Sequence, residues 1–144
     1  MQQQNYTNHK RYVFMFHVVL FFAILALIGG SIHNLTESFG NEDRLYNASL
    51  ICLVSFCLLF LFFFSRSFAL KAQDRAIRAE ENMRHFMLTG KLLDSRITVR
   101  QIVGLRFASD EEFVSLAKRA VEENLTEDAI KRAVKNWKSD YYRV

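Results

Sequence analysis

The string LICLVSFCLLFLFFF, at residues 50–64, decides the fold class of this chain. It carries no charge, and the apolar segment around it extends from residue 46 to residue 68, with Arg66 as its first charged side chain. A helix needs about 20 predominantly apolar residues to cross the hydrocarbon layer of a membrane. The string therefore predicts a transmembrane helix at residues 46–68.

A second apolar segment, at residues 12–32, is interrupted only by His17 and Ser31. It is too long for the apolar region of a signal peptide, and it lacks a convincing A-x-A cleavage site. Backbone groups in lipid must form hydrogen bonds within their own segment, so this segment should also be helical. The two segments and the loop between them, residues 33–45, predict a hairpin of two transmembrane helices.

The charges that flank the two segments predict the orientation of this hairpin. The cytoplasmic flanks of membrane helices collect Lys and Arg. The loop holds three acidic residues against Arg44 alone, whereas Lys10 and Arg11 precede the first helix. We therefore expect the loop outside and both termini in the cytoplasm. Five cations follow the centre of the second helix, namely Arg66, Lys71, Arg75, Arg78 and Arg84.

Residues 69–90 predict a cytoplasmic extension of the second helix, because they are rich in helix formers and contain no Gly or Pro before Gly90. Small and apolar side chains recur along the extension at steps of three and four, which is a heptad pattern. Two interpretations stay open: this stripe packs on the chain's own C-terminal helices, or it binds a second copy of the chain. The stripe is a candidate interaction surface and consists of Ala69, Ala72, Ala76, Ala79, Met83 and Phe86.

Residues 91–144 predict three short helices. Capping patterns that begin at Thr98, Ser109 and Thr126 mark their N-termini. Apolar side chains follow each start at helical spacing, and in the last helix they continue as far as Trp137. The predicted fold is all-α: a two-helix transmembrane hairpin, with the second helix extended into the cytoplasm, followed by a small three-helix cytoplasmic bundle.

The cytoplasmic N-terminal segment, residues 1–11, contains the string QNYTNH. This string is too polar to build a core and too short to fold alone. The predicted topology puts it on the same side of the membrane as the C-terminal bundle. We therefore expect it to dock on that bundle, with Asn5, Tyr6 and His9 as the candidate docking residues.

The sequence offers little support for an enzyme. It contains no Gly-rich phosphate loop and no H-E-x-x-H, and both cysteines, Cys52 and Cys57, lie in an apolar segment. We predict no catalytic residue, no metal site and no cofactor. His17 and His85 are interpreted as a shallow membrane histidine and a surface histidine.

Basic residues of the C-terminal segment are a further candidate interaction surface, formed by Arg106, Lys131 and Lys135. Nucleic-acid binding needs a strongly basic face. Residues 91–144 carry 11 Lys and Arg against 9 Asp and Glu, which is too balanced for a strong phosphate-binding surface. Nucleic acid is therefore not a favoured partner, although a sensor that binds nucleic acid or a small ligand stays the alternative function.

Four strings together resemble a family of small bacterial double-pass membrane proteins of unknown function, found chiefly in Bacteroidota. The resemblance implies a bacterial source and a location in the cytoplasmic (inner) membrane. It implies no activity, because none is assigned to the family. Members of that family carry a proline soon after the first string, where this chain has Arg11, Tyr12 and Val13. The strings are QNYTNH at residues 4–9, QDRAIRAEENMRHFMLTG at residues 73–90, LRFASDEEF at residues 105–113 and AIKRAVKNWKSDYYRV at residues 129–144.

These observations predict a non-enzymatic integral membrane protein. Its expected role is that of an adaptor or accessory subunit, which presents a cytoplasmic helical module to a protein partner. The expected partners are the lipid bilayer and either another protein or further copies of the chain.

Overall fold

A computed structural model of the chain describes residues 4–9 and 11–141. Residues 1–3, Lys10 and residues 142–144, which belong to the predicted N- and C-terminal segments, lie outside the described residues. The described part of the chain is all-helical, with five α-helices and no strands. These are α1 (Phe21–Glu37), α2 (Glu42–Thr89), α3 (Val99–Leu105), α4 (Asp110–Glu122) and α5 (Glu127–Ala133), and a π-helical segment (Met15–Leu20) precedes α1.

The chain divides into two compact units. The first, Tyr12–Ala69, is called the apolar unit. The second, called the module, combines Met1–Arg11 with Leu70–Val144. Helix α2 contributes residues to both units, because it runs without interruption over 48 residues.

Two helices are long and apolar enough to cross a membrane, Met15–Glu37 and Glu42–Thr89, with mean hydropathies of 2.4 and 2.6 in their most apolar windows. Only 11% of each window is buried. A helix in the core of a soluble protein would instead be mostly buried. Within the apolar unit, Ser31 and Ser55 are both buried, and their hydroxyl oxygens lie 3.1 Å apart.

The core of the module lies between α3, α4 and α5. Its fully buried side chains include Ile102, Leu105, Phe113 and Ile130, and Ile77 of α2 joins the same cluster. Burial of such apolar side chains is the main force that holds short helices together, since isolated helices of this length are unstable in water. The C-terminal part of α2 is therefore built into the core of the module.

Helices α3, α4 and α5 each begin at the residue that the capping pattern predicts. The N-cap residues of α3, α4 and α5 are Thr98, Ser109 and Thr126. The side chains of Thr98 and Thr126 accept hydrogen bonds from backbone N–H groups one turn further on. These bonds satisfy N–H groups that have no partner inside their helix.

Helix α3 crosses α5 closely at Gly104. A Cβ atom added to Gly104 would lie 3.0 Å from the carbonyl oxygen of Glu127 and 3.1 Å from Cγ2 of Ile130. The side chain of Gln101 also fixes this region, because its Nε2 donates to the carbonyl oxygens of Ala120 (2.9 Å) and Leu125 (3.0 Å) at the end of α4. The three helices are thus joined by close packing and by buried hydrogen bonds.

The last helix is shorter than the sequence predicts. Apolar spacing extends the helical pattern to Trp137, but α5 ends at Ala133 and Val134 is already extended. The chain then forms a bridge between Trp137 and Ala108, in which the N–H of Lys138 donates to the carbonyl oxygen of Phe107 at 2.8 Å. This long-range pairing offers the backbone an alternative to further helix, which explains why α5 ends earlier than the sequence predicts.

Candidate functional site

The string at residues 4–9 lies against the C-terminal part of the module. Gln4 forms two hydrogen bonds with the backbone of Asp140: its Oε1 accepts from the Asp140 N–H at 2.7 Å, and its Nε2 donates to the Asp140 carbonyl oxygen at 3.3 Å. Gln4 is buried. Its amide therefore pairs with the extended segment after α5 in the way a neighbouring backbone would.

Tyr6 binds charged side chains of α5. Its hydroxyl donates to Oδ1 of Asp128 at 2.6 Å, and it accepts a hydrogen bond from Nε of Arg132 at 3.1 Å. The Arg132 guanidinium also lies over the Tyr6 ring, 5.2 Å from its centroid. The hydrogen bond from Tyr6, with the nearby positive charges, lowers the pKa of Asp128 below its ordinary value.

His9 is buried in an aromatic site. Its ring lies 5.7 Å from the Phe107 ring and 5.8 Å from the Trp137 ring, between centroids. Nδ1 lies 2.6 Å from the Tyr6 carbonyl oxygen, and Nε2 lies 3.4 Å from Nζ of Lys131. Since a carbonyl oxygen can only accept, Nδ1 carries a proton. Nε2 can then accept a hydrogen bond from the Lys131 ammonium group.

Asn5 has a different position from its neighbours. Its side chain is exposed, and its Oδ1 accepts hydrogen bonds from the backbone N–H groups of Thr7 and Asn8. Such bonds stabilise a turn within the string itself. Of the three candidate docking residues, Tyr6 and His9 thus contact the C-terminal part of the module, and Asn5 instead stabilises the turn within the string.

Arg84 links α2 to the start of α4. Its Nε donates to Oδ1 of Asp110 at 2.6 Å, and its terminal nitrogens donate to the Ala108 carbonyl oxygen at 2.7 Å and to Oε2 of Glu81 at 3.1 Å. The guanidinium lies 4.3 Å from the centroid of the Phe113 ring. Arg84 and Glu81 are both largely buried. Burial raises the pKa of Glu81, and the hydrogen bond and positive charge of Arg84 oppose that rise.

The heptad stripe lies on the opposite side of α2 from these contacts. Ile77, Glu81 and Arg84 face the core of the module. Met83 is 60% exposed and Phe86 is 50% exposed. Because these side chains are not covered, the interpretation that the stripe packs on the chain's own C-terminal helices is wrong. Of the other stripe residues, Ala72, Ala76 and Ala79 are exposed and Ala69 is half-buried.

Further large apolar side chains are exposed next to the stripe. Met87 is 78% exposed and Leu92, just after the end of α2, is 66% exposed. Neither residue belongs to the stripe. Met87 comes one position after Phe86, the last stripe residue, and Leu92 lies beyond Gly90, where φ is +72° and the helix stops. Sequence reasoning missed both, and the signal that could have found them is the density of apolar residues between positions 83 and 92.

The three basic candidates do not form one exposed surface. Arg106 is only 8% exposed; its guanidinium lies over the Phe107 ring, and its Nε is 3.6 Å from Oδ2 of Asp140. Nζ of Lys131 donates to Glu127 at 2.6 Å. Lys135 is the exposed member of the set. The positive charges of Arg106 and Lys131 are therefore offset by carboxylates inside the module.

Metal-binding side chains do not cluster in the part of the chain that the structure describes. Within residues 4–9 and 11–141, no three or more His, Cys, Asp or Glu side chains come together in a group that could hold a metal ion. Cys52 and Cys57 are free thiols. The features that the geometry does provide are a docked N-terminal string, an ion-paired link between α2 and α4, and an exposed apolar face.

These features belong to an all-helical protein with two helices apolar enough to span a membrane and one small module. The chain is a member of a family described as Family of unknown function (DUF6526), which matches it over residues 1–144. No curated protein and no solved structure matches the chain.

Proposed function

We propose that this is a non-enzymatic, two-pass integral membrane protein of the bacterial inner membrane, which acts as an adaptor or accessory subunit. Helices α1 and α2 form the transmembrane hairpin. Support comes from the exposure of these helices, since only 11% of the most apolar stretch of each is buried. So much apolar surface is stable in lipid and would promote aggregation in water.

Both termini are cytoplasmic in this proposal. The loop before α2 is acidic, and the positive charges gather before α1 and after the centre of α2. That distribution supports retention of the basic flanks on the cytoplasmic side. The module then lies in the cytoplasm, where its surface is available to other proteins.

The observation that carries the adaptor function is the exposed apolar face on the module part of α2 and just beyond it. Met83, Phe86, Met87 and Leu92 are each at least half exposed. Full burial of one such side chain contributes about 1.5–3 kcal/mol. Clustered exposed apolar residues on a soluble unit mark protein interaction sites. We therefore assign this face as the surface that binds a protein partner.

The test is gentle detergent extraction of the full-length tagged chain, followed by its native mass and identification of every co-purifying chain. Membrane insertion is checked first by resistance to alkaline carbonate. We expect Phe86→Ser with Met87→Ser to reduce the mass of the complex. The matched control is Phe39→Ser, since Phe39 is 70% exposed and lies outside the module.

Two outcomes would contradict the proposal. Release of the chain by carbonate would exclude an integral membrane protein. A lone monomer, unchanged by the double substitution, would exclude a protein partner at this face. The sensor alternative receives no support from a specific contact, because Arg106 and Lys131 lie close to carboxylates of the same chain.

A further inference from the structure

We propose that the partner bound by the stripe is a second copy of this chain, so that two α2 helices pair in parallel as a short coiled coil. This inference rests on the proposed function, because two copies inserted in one membrane share the same orientation. It names the occupant of the exposed face of α2, and it concerns the stripe residues within the module.

The spacing of the stripe defines a coiled-coil register. In this register Ala76 and Met83 occupy a positions, and Ala72, Ala79 and Phe86 occupy d positions. The a and d side chains of a parallel dimer meet those of the partner helix along a common seam. Alanine at three of these five positions lets the two backbones approach closely, while Met83 and Phe86 supply the buried area.

The packing of the module leaves this seam available. Ile77, Glu81 and Arg84, which contact the core of the module, occupy b and f positions of the same heptads. Those positions face away from the seam of a coiled coil. The module therefore covers one side of α2 and a second helix can approach the other.

Charge complementarity favours a second copy in parallel orientation. Arg75 occupies a g position and Glu80 the e position five residues later, and both are exposed. In a parallel dimer, a g residue lies beside the e residue of the next heptad in the partner helix. Two-fold symmetry would create this Arg–Glu pair twice. Among the described residues, neither side chain forms an ion pair within its own chain.

An antiparallel pair would match these charges less well. Centred on Ala76 and Ala79, it would bring Arg75 beside Asn82 and Glu80 beside Gln73, so that neither charge meets its opposite. The charges beside the seam therefore favour the parallel orientation, which is also the orientation that two copies share in one membrane.

The dimer should be weak in water and stable in the membrane. Alanine side chains bury little apolar area, so the seam contributes a modest free energy of association. Confinement to one bilayer raises the effective concentration of the two helices and removes part of the orientational cost. Self-association should consequently increase with the protein-to-lipid ratio.

The experiment is disulfide cross-linking of the full-length chain in membrane vesicles, in a Cys52→Ala, Cys57→Ala background. Met83→Cys places a thiol at the a position of the seam, and Arg78→Cys places a control thiol at an exposed c position of the same helix. We expect oxidation to give a species of twice the chain mass with Met83→Cys and little or none with Arg78→Cys. Ala76→Cys provides a second a position should Met83→Cys fail to fold.

Charge reversal tests the orientation. In the Met83→Cys background, Arg75→Glu should lower the cross-linked fraction about three-fold, a typical effect for exposed ion pairs. Adding Glu80→Arg should restore the fraction. Arg78→Glu is the matched control and should leave it unchanged, because position 78 lies away from the seam.

The outcomes separate this inference from the proposed function. Equal cross-linking at positions 83 and 78, or none at positions 83 and 76 in a chain that resists carbonate extraction, would overturn the dimer and leave the membrane adaptor intact. A chain that carbonate releases would overturn both. Failure of the double charge reversal to restore cross-linking would overturn the parallel register.

Discussion

The hydroxyl of Tyr6 donates a 2.6 Å hydrogen bond to Oδ1 of Asp128, a residue that is 122 positions away in the sequence. This bond, with the contacts of Gln4 and His9, joins residues 4–9 to the C-terminal part of the module. Trp137 is the single tryptophan of the protein, and its ring lies 5.8 Å from that of His9. Its fluorescence therefore reports on the docking of the N-terminal string.

We predict that deletion of residues 1–9 lowers the melting temperature of the module and shifts the emission of Trp137 to longer wavelength, because Phe107 and Trp137 lose the His9 ring. Tyr6→Phe should produce a smaller decrease, since it removes the two hydrogen bonds and keeps the ring. Tyr46→Phe, outside the module, is the control. A thermal transition that is unchanged by the deletion would contradict the docking role.

Docking should also weaken in acid. The hydrogen bond from Tyr6 lowers the pKa of Asp128 below its ordinary value of 3.8. A carboxyl group whose pKa is depressed in the folded state stabilises that state above its unfolded pKa, and the contribution is lost as the pH falls through the folded pKa. We expect Trp137 emission to report release of the string below pH 3.8, with this component absent in Asp128→Asn. Identical titrations of both proteins would refute the assignment.

The link between α2 and α4 should depend on Arg84. Arg84→Met leaves the carboxylate of Glu81 buried without its partner, and loss of one member of a buried ion pair costs roughly 3 kcal/mol. Urea unfolding followed by Trp137 emission measures this change in the free energy of unfolding. Arg84→Met combined with Glu81→Gln should lose less, because the only carboxylate left without Arg84 is then that of Asp110, which is 64% exposed.

The control for Arg84 is Arg100→Met. Arg100 pairs with Glu127 at 3.4 Å, but its side chain is 79% exposed. Such surface pairs contribute at most about 1 kcal/mol. A loss from Arg100→Met equal to that from Arg84→Met would show that burial of Arg84 has no special effect.

The crossing of α3 and α5 should not tolerate a larger residue at Gly104. The Cβ of alanine would press against the Glu127 carbonyl oxygen and the Ile130 side chain, and overpacking of this kind costs about 1–3 kcal/mol. Alanine favours a helix over glycine by about 1 kcal/mol, which cancels the cost only at the lower end of that range. We expect Gly104→Ala to lower the melting temperature of the module, and a stabilised protein would disprove the close crossing.

Gly29→Ala is the matched substitution for Gly104→Ala. It is also a helical glycine, and a Cβ at Gly29 would meet no atom within 4 Å other than those of its chain neighbours and the backbone of its own helix. The helix propensity changes in the same way, whereas packing within the chain does not. We therefore expect Gly29→Ala to leave the melting temperature of the module unchanged.

The sequence by itself determined the elements whose signals are local. Long apolar segments locate the two helices that are able to span a membrane, since the number of apolar residues fixes the length of such a helix. The starts at Thr98, Ser109 and Thr126 were equally predictable, because an N-cap side chain bonds to a backbone N–H only a few residues away.

Only the tertiary structure decided which surfaces meet. The heptad stripe has the same period whether a helix of its own chain or another molecule covers it, and the burial of Ile77 instead left the stripe exposed. Helix α5 ends before Trp137 because that residue pairs with Ala108, and Arg106 is buried beside Phe107 and Asp140 rather than exposed. Periodicity and capping depend on neighbours in the sequence, whereas these contacts depend on which distant groups packing brings within hydrogen-bonding and van der Waals distance.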